Sequence, residues 1–368
     1  MEYKKIIELT TVVTGGTPST EKREYWDNGS IPWLQSGCCQ NCEVNSAGKY
    51  ITQEGYDNSS TRMMPADTVM IALTGATAGK VGYLNFAACG NQSITGILPC
   101  GALNQRYLFY YLISQRHKIL ADCVGGAQAH ISQGYVKNIK VPVLSLVEQE
   151  QVVEVLTQLN NIISMRRKEI GLLDTLVKSR FAEMFGDVKY GTERWGGKPF
   201  KDITINLDSK RKPVKDADRK KMQGIYPYYG ATGIVDYVND YRQDGDFLLI
   251  SEDGKALELR SKPIAFLASG KIWVNNHAHV QQCTDECNMI YLMYHINFMD
   301  ISIWVTGIDQ KKLNRANLDI IPIALPPIEL QNQFADIVKQ IDKQKFEIQN
   351  ELIELKKVKE YLMNKYFN

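Results

Sequence analysis

The strongest chemical pattern in the sequence is a dense group of cations. Seven Lys and Arg side chains fall within twelve residues, at Lys210, Arg211, Lys212, Lys215, Arg219, Lys220 and Lys221. The aromatic segment 226–229, Tyr-Pro-Tyr-Tyr, follows directly. Flexible cations beside aromatic rings suit a surface that contacts nucleic-acid phosphates, because neutralising phosphates releases bound counterions. The alternative is a solvated charged loop, which composition alone supports equally well.

Polar side chains that could contact DNA lie in both halves of the chain. Asn, Gln, Arg and Lys can form paired hydrogen bonds with purine edges in the major groove. The candidate DNA-binding residues are Lys80, Asn91, Gln92, Gln128, His130, Lys210, Arg211, Lys212, Tyr229, Lys271, Asn276, His277, Gln310 and Lys311. Among them, the predicted phosphate contacts are Lys80, Lys210, Arg211 and Lys212, and the predicted base contacts are Gln128, Asn276 and His277. Taken singly, each is more often a loop residue that bonds nearby backbone.

Motifs for catalysis are missing from the sequence. The segment 74–80 resembles a phosphate-binding loop, but only three residues separate its glycines, and Val81 stands where Ser or Thr would bind magnesium. The glycine-rich dinucleotide motif, His-Glu-x-x-His, Gly-x-Ser-x-Gly and the Asp/Asn-Pro-Pro-Tyr/Phe of amino-methyltransferases do not occur either. The sequence therefore predicts a protein that is not an enzyme and has no cofactor.

Two groups of Cys and His residues have spacings that invite a zinc interpretation. They are Cys38-Cys39-x-x-Cys42 and His277-x-His279-x3-Cys283-x3-Cys287. The first has no second Cys pair at zinc-finger spacing. In the second, a strand would point His277 and His279 to the same side. We expect small buried thiols and polar loop histidines, with no metal, and keep a structural zinc site as the alternative.

The composition is that of a folded, soluble protein. The chain has 368 residues, and 43 Lys and Arg against 41 Asp and Glu leave a net charge of +2, so a uniformly basic surface is excluded. The sequence contains no run of 18 apolar residues and no signal-peptide core at its start. Eight cysteines without an export signal predict free thiols in a reducing compartment, and hence a cytoplasmic protein that does not bind membranes.

An internal repeat sets the positions of these residues. The two halves of the chain resemble each other at an offset of about 182 residues, and each copy is a variable block followed by a long segment almost free of Gly and Pro. The variable blocks have short β-like runs, such as 67–73 and 246–250, and one helix each is predicted, over 105–120 and 289–303. We therefore predict two α+β domains, 1–145 and 186–325, alternating with long helices 146–185 and 326–368.

The long segments carry a heptad pattern. Apolar residues recur at alternating steps of four and three, and Arg166, Arg180, Lys345 and Lys359 fill gaps that are staggered between the two segments. Such a pattern is typical of a coiled coil, and the staggered gaps favour pairing of one segment with the other. The predicted helix-pairing residues are Leu156, Leu159, Leu173, Val338, Ile341 and Leu355. Two separate amphipathic helices are the alternative.

These motifs together resemble the DNA-specificity subunit of a type I restriction-modification system. The resemblance rests on Thr14-Gly15-Gly16-Thr17-Pro18, Ile31-Pro32-Trp33-Leu34, Leu207-Asp208-x-x-Arg211-x-Pro213, Trp273-Val274-Asn275-Asn276-His277-Ala278-His279 and Glu183-Met184-Phe185-Gly186-Asp187. It covers the whole chain, in order and twice. One departure is Leu144-Ser145, where a Pro-Pro pair is usual, although Pro326-Pro327 keeps the pair in the second copy.

The resemblance implies an α+β fold and a role in DNA recognition. Two mixed α/β target-recognition domains in pseudo-twofold repeat would be separated by two long helices, paired as an antiparallel coiled coil. Each domain would recognise one half of a split double-stranded DNA target in a bacterial or archaeal cytoplasm. The implied partners are two modification (methyltransferase) subunits and restriction (translocase and endonuclease) subunits. The alternatives are a specificity subunit of a related methyltransferase-based defence system and a protein-binding coiled-coil scaffold.

Overall fold

The chain divides into two units that each combine one variable block with parts of both long helices. The structure, a computed structural model, describes residues 2–122, 130–188, 194–308 and 310–367. Unit 1 comprises residues 1–166 and 350–368, and unit 2 comprises residues 167–349. Each unit therefore takes about half of each long helix, whereas the sequence plan placed the helices in segments of their own.

Unit 1 consists of short strands and helices, followed by the first half of a long helix. Its strands are β1 (Glu2–Lys5), β2 (Val12–Thr14), β3 (Ile31–Leu34), β4 (Cys42–Val44), β5 (Lys49–Ile51), β6 (Val69–Ala72), β7 (Val81–Leu84), β8 (Cys89–Gly90), β9 (Ile94–Ile97) and β10 (Lys140–Val143). Its helices are α1 (Ile6–Leu9), α2 (Gln53–Asp57), α3 (Gln105–Ser114), α4 (Arg116–Ala121), α5 (Gln133–Asn138) and the start of α6 (Leu146–Phe185).

Unit 2 repeats the plan with longer strands. Its strands are β11 (Gly197–Pro199), β12 (Thr204–Asn206), β13 (Gln223–Gly230), β14 (Gly233–Val238), β15 (Gln243–Ser251), β16 (Ala265–Val274), β17 (Ala278–Cys283) and β18 (Pro322–Ala324). Its helices are α7 (Asp216–Arg219), α8 (Ala256–Leu259), α9 (Met289–Phe298), α10 (Arg315–Asp319) and the first half of α11 (Ile328–Phe367).

The sheets of the two units have related strand orders. Unit 1 has sheets in the order β2-β9-β6-β7-β4 and β5-β3-β8, and unit 2 has one sheet in the order β12-β17-β15-β16-β13-β14. In both units a central strand, β6 or β15, lies antiparallel to its neighbours. Parallel pairs interrupt the antiparallel pattern in both, β3 with β8 and β4 with β7 in unit 1, and β13 with β16 in unit 2. The predicted α+β repeat is confirmed.

The shorter predicted helices are also present, with different ends. The segment 105–120 forms α3 and α4, which meet at Gln115, a residue that keeps right-handed helical dihedral angles. Helix α9 ends at Phe298, before the predicted end at 303, because Met299 adopts an extended conformation. Asn104 and Asn288 cap α3 and α9 by accepting bonds from the first amides of each helix.

A buried glutamine joins each variable block to its long helix. In unit 1, Gln149 accepts a hydrogen bond from the Asn104 amide at 2.8 Å and donates to the Leu144 carbonyl at 2.9 Å. In unit 2, Gln331 accepts from the Asn288 amide and donates to the Pro326 carbonyl, both at 2.8 Å. The repeat therefore extends to individual hydrogen bonds.

In unit 1 the two long helices pack against each other in antiparallel orientation. Leu156 shares a buried cluster with Met363 and Phe367, and Leu159 is also buried. The Lys359 ammonium donates to Asn160 at 2.7 Å, and Arg166 pairs with Glu351 at 3.0 Å. Residue numbers rise along α6 as they fall along α11, which defines the antiparallel direction.

In unit 2 the helix pair is dominated by aromatic side chains. Phe334 of α11 lies 5.2 Å from Phe181 and 5.5 Å from Phe185 of α6, between ring centroids. Lys345 pairs with Asp174 at 2.6 Å. Among the predicted pairing residues, Val338 and Ile341 are buried, and Leu173 of unit 2 and Leu355 of unit 1 are half-buried. Three of the four polar gap positions, Arg166, Lys345 and Lys359, thus bond across to the other helix, whereas Arg180 pairs with Glu183 of its own helix.

We predict that Phe334→Ala destabilises unit 2 by about 3–5 kcal/mol, because it leaves a cavity among buried rings. Chemical denaturation followed by tryptophan fluorescence measures this loss. Phe346→Ala, on the same helix but 63% exposed, is the matched control and should change the free energy of unfolding by less than about 0.5 kcal/mol. Equal losses in the two variants would contradict the packing described here.

A second prediction concerns His295 of α9, whose Nε2 accepts a hydrogen bond from the Ala324 amide. Burial lowers the pKa of His295 to about 3. Below pH 6.5 the unfolded chain therefore binds a proton at this histidine, whereas the folded chain does not. The free energy of unfolding consequently falls by up to about 1.4 kcal/mol per pH unit. His295→Gln should reduce the loss of melting temperature between pH 7 and pH 5. The exposed His117→Gln should not, and equal effects would contradict the prediction.

Candidate nucleic-acid interface

Each unit brings three loops together at the end of its central strand. In unit 1 the Leu73 amide donates to the Ser93 carbonyl at 2.8 Å, and the Ile131 amide donates to the Leu73 carbonyl at 2.9 Å. Unit 2 repeats both bonds, from the Glu252 amide to the His277 carbonyl and from the Leu313 amide to the Glu252 carbonyl. We call residues 73–75, 91–93 and 130–131 loop site 1, and residues 252–254, 275–277 and 310–313 loop site 2.

The middle loop of each site is shaped by an asparagine. Asn91 accepts a hydrogen bond from the Ser93 amide at 3.2 Å, and Asn275 accepts one from the His277 amide at 2.8 Å. These bonds occupy the Asn91 side-chain oxygen, a predicted DNA contact, within its own turn. Gln92 is exposed at the tip, where its amide oxygen accepts a bond from the Thr17 hydroxyl at 2.5 Å.

A fourth segment supports each site, and it carries motifs that the sequence resemblance rested on. The Gly16 amide donates to the Gly90 carbonyl at 2.8 Å, and the Lys212 amide donates to the Val274 carbonyl at 3.1 Å. A side chain at Gly15 would overlap the Gly90 carbonyl, which explains the paired glycines of unit 1.

The carbonyl of each supporting segment accepts an indole hydrogen bond. Trp33 of β3 donates to Gly16, and Trp273 of β16 donates to Lys212. Trp33 lies on the first strand of the parallel pair β3 and β8, whereas Trp273 lies on the second strand of the matching pair β13 and β16. The indole hydrogen bond to the supporting segment is therefore made from opposite strands of the pair in the two units.

Loop site 1 contains three of the five residues predicted for unit 1. Asn91, Gln92 and His130 lie on it, and His130 is exposed and bridges Thr74. Lys80 lies beside β7, half-exposed, with its ammonium 2.6 Å from the Gln40 side-chain oxygen. Gln128 lies outside the described residues.

Loop site 2 opens into a cleft of about 350 Å³. Its lining residues are Asp253, Gly254, Lys255, Glu258, His277, Gln310 and Lys311. The cleft thus gathers three of the predicted residues, His277, Gln310 and Lys311. His277 is half-exposed, and its Nδ1 lies 2.7 Å from the Asp253 carboxylate. Asn276 is exposed next to it in the chain, and Lys210 and Lys212 are exposed on either side of Arg211.

Arg211 itself is part of the interior. Its side chain is only 17% exposed, and its guanidinium lies 2.6 Å from the Glu252 carboxylate and 3.3 Å from that of Asp208. It also donates to the Ala278 carbonyl at 3.1 Å. A phosphate contact by Arg211 does not agree with this position. The cluster of cations in the sequence does not reveal which of them pairs with buried carboxylates.

The two carboxylates are kept ionised by their partners. Burial acts to raise the pKa of Asp208, but the hydrogen bond and charge of His279 outweigh it, so this pKa lies below its usual value. Burial opposes ionisation of Glu252 in the same way, and bonds from Arg211 and Lys312 lower the pKa below its usual value. Asp208, Arg211, Glu252, His279 and Lys312 therefore form one ionic network next to loop site 2.

Two further predicted residues do not line the cleft. The Tyr229 ring is buried and stacks on Phe266 at 6.1 Å, and only the Tyr229 carbonyl touches loop site 2, where it accepts from the Asn275 amide. Lys271 is exposed on β16 with its ammonium 4.8 Å from the centre of the Tyr241 ring. Neither position offers a side chain to a ligand in the cleft.

The Cys and His groups are not arranged as metal sites within the described ranges. There, no three His, Cys, Asp or Glu side chains are grouped so that they could hold a metal ion. His277 precedes β17 and is half-exposed, whereas His279 lies on the strand and is buried, so the expectation that they point to the same side is wrong. In the same part of the chain, no helix combines the length and apolar character needed to cross a bilayer.

Sequence reasoning missed the residues that hold loop site 2 together. Asp208, Glu252, His279 and Lys312 were not among the predicted site residues, although Asp208 and His279 belong to the two motifs of the resemblance. Each motif places one of these residues close in sequence to a predicted contact, Asp208 next to the lysines at 210 and 212 and His279 next to His277. Glu252 and Lys312 lie in loop segments without a distinctive sequence motif, and they come together only in the folded structure.

Comparison with known proteins identifies the family. Residues 1–172 and 193–357 match the type I restriction modification DNA specificity domain. The chain belongs to the type I restriction-modification DNA-specificity family. The first matched range contains loop site 1, and the second contains loop site 2. The resemblance found in the sequence is confirmed.

The alignments with relatives span different shares of this chain. A putative type I restriction enzyme specificity subunit of Haemophilus influenzae is 38% identical over 141 residues, which span 38% of this chain and 36% of that relative. The type I restriction enzyme MjaIX specificity subunit of Methanocaldococcus jannaschii is 22% identical over 99% of this chain and 92% of its own length. The crystal structure of the S subunit of the type I restriction-modification system from M. genitalium has the same fold, with a TM-score of 0.61, 17% identity and coverage of 100% of this chain and 96% of that one.

Proposed function

We propose that this chain is the DNA-specificity subunit of a type I restriction-modification complex and that each unit recognises one half of a bipartite target. The observation that carries the proposal is the duplicated loop site. The same backbone hydrogen bonds present Gln92 and Ser93 in unit 1 but Asn276 and His277 in unit 2. A repeated frame with different polar side chains suits recognition of two different short sequences.

Within this proposal, contacts divide between phosphates and bases. Exposed lysines at the rim of loop site 2, Lys210, Lys212 and Lys311, bind phosphates, and Lys80 does so in unit 1. Base edges are contacted by the loop side chains Gln92 and His130 in unit 1 and Asn276, His277 and Gln310 in unit 2, and Gln128 is kept as a further base contact from the sequence alone. Arg211 is reassigned from phosphate contact to support of the site, since its charge is already matched by Asp208 and Glu252.

The chain itself would not catalyse a reaction. Two modification subunits would supply adenine methylation, and restriction subunits would supply translocation and cleavage of DNA. Exposed apolar side chains on α6, including Ile162 and Met165 in unit 1 and Leu172 and Leu176 in unit 2, offer surface that a protein partner would cover. The paired helices are therefore the proposed docking surface for modification subunits.

A map of modified bases tests the proposed function. The gene would be expressed with its neighbouring modification gene in a host without DNA methylation. We expect adenine methylation at a split motif, two short half-sites around a fixed gap. A continuous motif would contradict recognition by two separate units. Absence of methylation, in a complex shown to assemble, would favour a protein-binding scaffold instead.

Salt dependence tests the phosphate contacts. Each lost phosphate contact lowers the slope of log affinity against log salt by about 0.9, so Lys210→Ala with Lys212→Ala should lower it by about 2 and weaken binding to all sequences. The control pair, Lys343→Ala with Lys356→Ala, removes two exposed lysines from α11. Titrations of the assembled complex with duplex DNA between about 50 and 200 mM salt measure the slopes. A slope equal to that of the unaltered chain would remove Lys210 and Lys212 from the interface.

A further inference from the structure

His279 lies at the centre of the ionic network next to loop site 2. It is buried, with its Nδ1 2.7 Å from the Asp208 carboxylate and its Nε2 2.9 Å from the Leu313 carbonyl. The two ring nitrogens therefore lie within hydrogen-bond distance of two different oxygen atoms, one from each partner. The Glu252 carboxylate, 3.8 Å from Nε2, adds a second negative neighbour.

The two hydrogen bonds of His279 reach two different parts of the site. Asp208 begins the turn Asp208–Lys210, and so its bond fixes the segment that carries the exposed Lys210 and Lys212. The Asp208 carboxylate also accepts from the Val280 amide at 2.7 Å, which ties the turn to β17. Leu313 ends the segment that carries Gln310 and Lys311 at the cleft. One buried side chain therefore links the segment that carries Lys210 and Lys212 to the segment that carries Gln310 and Lys311.

Unit 1 holds its corresponding loops in another way. The backbone bonds that match the two sites place Leu73 where unit 2 has Glu252, and Thr95 of β9 where unit 2 has His279. Both Leu73 and Thr95 are buried. The ionic link is thus a feature of the second site, and its loss would act on that site alone.

We propose that His279 is a positioning residue that sets base selectivity at the half-site recognised by unit 2. Through a contact at each ring nitrogen it holds the segments 208–212 and 310–313 at a fixed separation around His277. This inference rests on the proposed function, because it assigns a cause to half of the bipartite specificity. His279 does not itself contact DNA, since its side chain is 1% exposed.

Two substitutions separate the two arms of the link. An asparagine amide can replace the Nδ1 donor, so His279→Asn keeps the bond to Asp208 and loses the bond to Leu313. A glutamine amide reaches the Nε2 position, so His279→Gln keeps the bond to Leu313 and loses the bond to Asp208. His295→Gln is the matched control, because it alters a buried histidine of the same unit that takes no part in loop site 2.

The experiment measures half-site preferences in the assembled complex. Modified-base maps give the tolerated bases at each motif position, and salt titrations with duplex DNA give the electrostatic slope. Asn276→Ala and His277→Ala identify the half-site that belongs to unit 2. We expect His279→Asn to reduce selectivity about tenfold at one or more positions of that half-site, with the other half-site unchanged. We expect His279→Gln to lower the salt slope by up to about 2.

The outcomes distinguish the inference from the proposed function. A bipartite motif in the unaltered complex, with His279 variants that keep full selectivity and slope, would overturn the inference alone. Equal loss of selectivity in both half-sites, or the same effect from His295→Gln, would assign His279 to general stability and would also overturn it. Absence of a split motif in the unaltered complex would instead contradict the proposed function.

Discussion

Satisfaction of buried backbone groups at the start of each long helix is the constraint on which both units depend. Gln149 and Gln331 are fully buried, and each joins the amide that begins a block helix to a carbonyl just before its long helix. A buried polar group without a partner costs about 1–3 kcal/mol, so each glutamine fixes the chain on both sides of it.

The two loop sites reach similar backbone geometry by different physical means. In unit 1 the support is steric, because the Gly90 carbonyl approaches Gly15 too closely for a side chain at position 15. In unit 2 the supporting segment carries Arg211, and the space beneath it is filled by matched charges. Buried charges of this kind add little net stability over apolar packing, but each charged group needs its partner at a well-defined distance and orientation. The difference gives each site its own sensitivity to substitution within a common frame.

Local and periodic features were predictable from the sequence, whereas long-range pairing of charges was not. The heptad spacing predicted both long helices, and the repeat predicted the related folds of the two units, because these depend on residues a few positions apart. The loop motifs also indicated Gln92, His277 and Gln310 as neighbours of a site. The role of Arg211 depends on Glu252, which is far away in sequence, and the burial of Tyr229 depends on Phe266. Likewise, the heptad gaps indicated polar positions at Lys345 and Lys359 but could not name their partners, Asp174 and Asn160.

The discontinuity of unit 1 has a consequence for the order of events during synthesis. Unit 2 is one continuous stretch, 167–349, and has all its residues once that stretch has left the ribosome. Unit 1 instead completes its core with Met363 and Phe367, and Phe367 packs against the rings of Tyr107 and Tyr111. The block of unit 1 is translated before unit 2, yet its apolar core stays incomplete until residues that follow the whole of unit 2 have been made. In this protein the block of unit 1 is made before unit 2 and completed after it.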